Sequence, residues 1–161
     1  LRGGFSLAIR PIRTMGDPVL KSKCSPVEKI DESLERLIKD MSDTMYDAPG
    51  VGLAAPQIGV NKKVIVYDIG EGLQVLLNPE ILEKGEEEEG AEGCLSVPGE
   101  ERAIKRASWI RVKGLDEKGN EIEKEFSDFA ARVLQHEIDH LQGRLIIQKG
   151  RPLPKKEIEE E

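Results

Sequence analysis

The sequence predicts an α+β domain, because a helical period near each end of the chain brackets a central stretch of strand-like segments joined by turn-forming residues. The first helix is expected over about 31–46: Leu34, Leu37, Ile38, Met41 and Met45 recur at helical spacing, and Asp31 stands where a cap belongs. The second is expected to be capped by Ser127 or Asp128 and stopped near Gly143. Between them, residues 63–69 and 73–78 read as strands around the turn Gly70-Glu71-Gly72. Residues 108–115 and 121–126 read as a hairpin closed by Asp116-Glu117-Lys118-Gly119-Asn120.

The remaining segments are predicted irregular. Residues 1–30 form an arm broken at Gly16-Asp17-Pro18 and Ser25-Pro26. Pro49-Gly50-Val51-Gly52 ends the first helix, and the four glutamates at 86–89 are expected in a solvated loop. After Leu145-Ile146-Ile147 a charged tail, 148–161, is expected to fray. No repeat or second domain is visible, so residues 1–161 read as a single domain, large enough for one well-buried core.

Composition narrows the function. A net charge of −7 argues against sequence-independent nucleic-acid binding, which needs clustered Lys and Arg. No apolar run approaches the roughly 18 residues that cross a bilayer, and no membrane partner is expected. Two cysteines, Cys24 and Cys94, build no disulfide framework, which favours a reducing, cytoplasmic setting. The early arginines Arg2, Arg10 and Arg13 weakly resemble a transit-peptide flank, so an organellar setting is the alternative.

The strongest chemical signal is His136-Glu137-Ile138-Asp139-His140, which holds both histidines of the chain. Histidines four apart project from one helix face, and a glutamate beside the first can reach a water on a shared metal. The plain alternative is two surface histidines without a metal. Phe129 and Val133 share the histidine stripe, with Leu134, Ile138 and Leu141 beside it, so the helix should be buried and its polar groups need partners. Cys94 is the natural third ligand, since a thiolate binds Fe(II) or Zn(II) well, and three protein ligands leave an open position suited to catalysis. Alone, Cys94 would read as a small buried filler, and Cys24 receives no function. The third signal is Gly50-Val51-Gly52-Leu53-Ala54-Ala55-Pro56-Gln57, whose small residues let a ligand approach the backbone and whose Gln57 amide suits an oxyanion; alone it reads as a tight turn.

Together, residues 50–57, Glu92-Gly93-Cys94-Leu95-Ser96 and Gln135-His136-Glu137-Ile138-Asp139-His140 resemble the three motifs of the peptide deformylase family, in that family's order. Gly16-Asp17-Pro18-Val19-Leu20 resembles its N-terminal segment, so the likeness covers roughly 8–147. The resemblance implies antiparallel β-sheets around a central metal-binding helix, with the N-terminal helix packed outside. It implies removal of the formyl group from the N-terminal formyl-methionine of nascent peptides, releasing formate. Cys94, His136 and His140 would hold one Fe2+, with Zn2+, Ni2+ or Co2+ able to substitute. Glu137 would act as general base and then acid for a water on the metal, and Gln57 with the Leu95 backbone N–H would stabilise the oxyanion.

The same resemblance matches Val51, Phe129 and Val133 to a pocket for the methionine side chain, with ordinary core packing as the alternative. Gly50 and Gly52 would border the substrate, the backbone of Gly52 pairing with it as an added strand. Glu92 matches an acid that supports the metal ligands, with Arg102 or Arg106 as its ion-pair partner, while Arg132, one turn before His136, is expected to be a plain surface arginine, with a place at the rim as the alternative. Two departures stand out. Leu145-Ile146-Ile147-Gln148 replaces the family's Leu-Phe-x-Asp, which touches packing rather than chemistry. The short tail closes on Glu157-Ile158-Glu159-Glu160-Glu161, so docking on the ribosome through a long basic helix is not expected, although a transient ribosome contact stays open. A zincin-type peptidase takes its third ligand downstream as His or Glu, where this chain has no histidine, and Asp139 inside the histidine pair sets the motif apart in style. A metal-stabilised or peptide-binding module without turnover would have no need of Glu137 or Gln57.

Overall fold

The computed structural model describes residues 8–154. After a 3-10 turn at Pro18–Lys21, α1 spans Glu32–Asp47, and the strands are β1 Gly52–Ala54, β2 Val64–Tyr67, β3 Gln74–Lys84, β4 Glu87–Cys94, β5 Val97–Ala107, β6 Trp109–Leu115 and β7 Glu121–Ser127. Helix α2, Asp128–Leu141, follows, then a 3-10 turn at Ile146–Gln148 and the short strand β8, Arg151–Pro152. The strands form two antiparallel sheets, one ordered β1-β2-β3-β6-β7 and one ordered β4-β5-β8.

Both predicted helices form, for the expected reasons. The Asp31 carboxylate accepts the Leu34 backbone N–H at 3.0 Å, and Leu34, Leu37, Met41 and Met45 bury one face of α1. At the other end, Gly143 sits at φ +75 just beyond α2, pressed against Lys21, where an added Cβ would come within 2.4 Å of the Lys21 carbonyl. The start of α2 differs from expectation. Ser127 is its N-cap, yet its side chain makes no capping bond; β7 runs straight into the helix, and the Asp128 N–H donates to the Ser108 carbonyl at 2.7 Å instead.

The large sheet is covered on both faces. Val64 and Val66 of β2 pack with α1, Leu53, Val75 and Leu77, while Ile65 and Tyr67 pack with Leu76, Ile110, Phe126 and the α2 residues Ala131 and Leu134. A strand buried on both sides must be apolar at every position, which explains the unbroken Val-Ile-Val-Tyr. α1 therefore lies outside the sheet and α2 within, between it and the small sheet. No helix of the described residues is long and apolar enough to cross a membrane.

Three segments predicted otherwise carry structure. Residues 87–89, expected in a loop, belong to β4: Glu87, Glu88 and Glu89 pair in the ladder with Ala107, Arg106 and Lys105, and Arg151 reaches Glu89 at 2.8 Å. β3 continues past residue 78 through a register shift at Asn78 and Pro79, the imide lacking a ladder donor. Lys149 holds Asp139 at 3.0 Å and Arg151 and Pro152 pair with Ala103 and Arg102, so the tail is anchored beyond residue 148. Leu1 to Leu7 with Arg2, and the acidic closing residues, lie outside the described residues.

Candidate active site

α2 carries the histidines into the space between the sheets, and β4 ends there. Its ladder with β5 runs regularly to Gly93, then shifts so that Cys94 faces Val97 across the Leu95-Ser96 turn. That irregularity turns Cys94 toward the helix, the usual work of a bulge beside a functional site. Cys94 Sγ lies 3.3 Å from His140 Nε2, and one ligand atom from each of Cys94, His136 and His140 falls within 4.8 Å of the others. His136 Nδ1 lies 2.9 Å from Glu92 Oε1, which leaves Nε2 as the nitrogen for coordination. One thiolate and two imidazoles suit a single Fe2+, or Zn2+, Ni2+ or Co2+ in its place, and three donors leave a position open.

The open side faces a cavity of about 680 Å³. Gly50, Val51 and Gly52 form one wall, Glu92, Cys94 and Leu95 another, and Phe129, Val133, His136 and Glu137 line the helix side. Val51 is 43% exposed and Phe129 60% exposed, so neither is a core residue; of these three, Val133 is the one buried in the core.

Gln57 is oriented by its own backbone turn. Its Oε1 accepts the Ala54 N–H at 3.0 Å, so the Nε2 end points at Ser96 Oγ, 3.2 Å away, and toward Cys94 Sγ at 3.9 Å. Opposite, Glu137 stands against Gly52, where a Cβ would lie 2.7 Å from Glu137 Oε2. Only glycine lets the carboxylate approach the edge strand this closely. Glu137 Oε1 is buried without a hydrogen-bond partner among the described residues, an acceptor free to take a proton from a reactant.

Behind the ligands is a saturated ionic network. Arg106 grips Glu92 twice, Nε to Oε2 at 2.8 Å and Nη2 to Oε1 at 2.9 Å, and reaches Asp139 of α2 at 2.5 Å. Arg132 Nη1 donates to Glu92 Oε2 at 2.6 Å, and His136 takes the remaining site on Oε1. A carboxylate offers about four lone-pair sites, and all four are filled. Of the two arginines offered as the partner of Glu92, Arg106 takes the place, and the surface reading of Arg132 is corrected. Arg102, directly opposite Glu92 in the ladder, finds no free oxygen and pairs with Glu100 at 3.6 Å. Arg132 is not a solvated surface arginine but part of the network, since its helix offset of one turn before His136 puts it over the same carboxylate.

Several members went unread in the sequence. Ser96 is fully buried under Gln57, and Asp139 links Arg106 to Lys149. Gln135 is buried and exchanges hydrogen bonds with both backbone groups of Ala107, taking the place of a strand neighbour at the end of β5. A polar residue at 135 on a helix apolar over a wide arc was the available signal.

Burial and partners set the electrostatics. Burial would raise the Glu92 carboxyl, but hydrogen bonds from Arg106 and His136 outweigh it and hold it at about 2. Burial pushes Glu137 up to about 7, only partly opposed by the His136 charge. Burial keeps His140 well below its ordinary value and hence neutral, the form that binds metal.

The comparisons agree with this geometry. The sequence model of the polypeptide deformylase family matches residues 9–156. A peptide deformylase from Clostridium botulinum is 50% identical over 143 residues, 89% of this chain and 97% of that protein. The crystal structure of peptide deformylase from Thermotoga maritima superposes with a TM-score of 0.87 at 47% identity, covering 89% of this chain and 99% of that one. A class I type b peptide deformylase from Acinetobacter baumannii, solved with Met-Ala-Ser bound, gives a TM-score of 0.84 at 37% identity over 88% of this chain and 99% of that one. Sequence, fold and the Cys94–His136–His140 cluster thus converge, and this chain belongs to the polypeptide deformylase family.

Proposed function

We propose that the chain hydrolyses the formamide of an N-terminal formyl-methionine at the Cys94–His136–His140 centre, releasing formate and a free amino terminus. The observation that carries the reading is the buried Glu137 carboxylate beside those three donors, its Oε1 without a hydrogen-bond partner among the described residues and its side chain lining the cavity. When bound, one ferrous ion or its substitute supplies Lewis acidity and makes a water nucleophilic at neutral pH.

Glu137 takes a proton from the attacking water and returns it to the departing amine nitrogen, so a poorly leaving amide anion is avoided. Burial raises the Glu137 carboxyl above its ordinary range, the direction that favours taking a proton and returning it. The Gln57 Nε2–H and the Leu95 backbone N–H stabilise the charge that develops on the formyl oxygen. Gly52, on the edge strand β1, pairs with the extended substrate backbone, Gly50 keeps that wall open, and Val51, Phe129 and Val133 receive the methionine side chain. Arg106 supports the ligands through Glu92, while Arg102 stands apart from that network. The chain acts as one catalytic unit in the bacterial cytoplasm, and nascent peptides are its partners.

Iron-loaded protein prepared without oxygen should release formate from formyl-Met-Ala-Ser. Cleavage of internal peptide bonds, or metal uptake with no formate release, would overturn the reading. Glu137→Ala should retain one metal per chain by elemental analysis while losing turnover.

A further inference from the structure

Arg132 lies on α2 one turn before His136, and its guanidinium leaves the helix and crosses the side of β4 that carries Gly90 and the Glu92 side chain. It makes three bonds there: Nη1 to Glu92 Oε2 at 2.6 Å, Nη1 to the Ile104 carbonyl at 3.0 Å and Nη2 to the Glu88 carbonyl at 3.0 Å. Arg106, by contrast, approaches Glu92 from the small sheet. The carboxylate is thus held from α2 by residues 132 and 136, four apart, one on each of its oxygens. This closes a ring of helix and carboxylate around the His136 imidazole, and the two carbonyl bonds set the height of the β4–β5 hairpin above α2.

Gly90 lies beneath this crossing. A Cβ there would meet Arg132 Cζ and Nη2 at 2.9 Å and Nε at 3.2 Å. Gly90 has no left-handed φ that would call for glycine, so its role is space. We infer that Arg132 is a positioning residue that fixes the Glu92 carboxylate against His136, and that Gly90 is the gap through which it reaches. The inference rests on reading His136 as a metal ligand.

The test compares Arg132→Met, Arg132→Lys, Gly90→Ala and the Gly90→Ala/Arg132→Met double variant with the parent protein. Chelator competition reads Co2+ affinity, the cobalt form supplies its visible bands, and formyl-Met-Ala-Ser supplies kcat and KM. Arg132→Met should weaken Co2+ binding about 10–100-fold and shift the cobalt bands. Its kcat should fall while KM stays within about twofold. Gly90→Ala should move the same readouts in the same direction by less, because it displaces the guanidinium without removing it. The double variant should match Arg132→Met alone, the non-additivity expected of two changes acting on one contact. Arg132→Lys should recover part of the loss, holding Oε2 but not both carbonyls.

A rise in KM with unchanged Co2+ affinity would make Arg132 a substrate contact and overturn the inference. Additive effects of the two single changes would equally overturn the part given to Gly90. If Arg132→Met fails to fold, Gly90→Ala with parental cobalt bands decides against it. A parent protein that binds no Co2+ would sink the metal centre and this inference together, whereas failure of the variants alone leaves the centre standing.

Discussion

The two sheets that flank α2 are held to it by different forces. On the large sheet, Ile65, Tyr67, Ile110 and Phe126 meet the helix through apolar contact, with the Tyr67 and Phe126 rings edge to face at 5.8 Å. On the small sheet, Glu92 and Arg106 meet it through buried charge, joined by Arg132, His136 and Asp139. Apolar packing tolerates small shifts because it is non-directional. An ionic network with every acceptor filled does not. The ligand Cys94 and the supporting Glu92 both come from the small sheet, so the directional side places the metal site and the non-directional side supplies the platform.

The largest expected effect breaks the ionic side. Glu92→Ala leaves the Arg106 guanidinium buried with only Asp139, and loss of one member of a buried pair costs about 3–5 kcal/mol. Urea unfolding of the metal-free protein measures it, and an unchanged midpoint would show that Glu92 contributes nothing net. Metal affinity should fall as well, because His136 loses its orienting acceptor.

Breaking the apolar side should separate the two properties. Ile65→Ala removes a fully buried side chain and should cost about 2–5 kcal/mol. Metal content per folded chain should stay at the parental value; if it falls with stability, the division between platform and site is wrong.

Gly52→Ala probes the junction with the edge strand. The added methyl would lie 2.7 Å from Glu137 Oε2, too close for the carboxylate to stay in place, and misplacing a catalytic group by about 1 Å costs about 100-fold in turnover. Overpacking should lower stability by about 1–3 kcal/mol. Parental kcat in this variant would mean that the closeness of Glu137 to β1 has no part in the reaction.

The smallest effect lies on neither side. Lys39→Ala removes an exposed i,i+4 pair with Asp43 on α1 and should change stability by no more than about 0.5 kcal/mol. A larger shift in the urea midpoint would show that α1 contributes to the platform through charge as well as packing.

The sequence by itself determined the elements whose signals are local. Helical period and Asp31 marked α1, Gly143 marked the end of α2, and the turn at Asp116 to Asn120 marked its hairpin. It also marked Cys94, Glu137, His136 and His140, because ligand chemistry depends on residue type and the four-residue helical repeat requires no partner to be visible. Only the tertiary structure decided who faces Glu92. Arg102, Arg106 and Arg132 are equivalent in charge, and their order in the chain does not say which reaches the carboxylate. Register alone would set Arg102 opposite Glu92, yet Arg106 and, through the gap at Gly90, Arg132 fill its roughly four acceptor sites together with His136, and Arg102 pairs with Glu100 instead. The same holds for residues 87–89, which form a strand against β5 with Glu89 held by Arg151 from beyond the last helix. Long-range charge pairing depends on which distant segments meet, and that is a property of the folded chain.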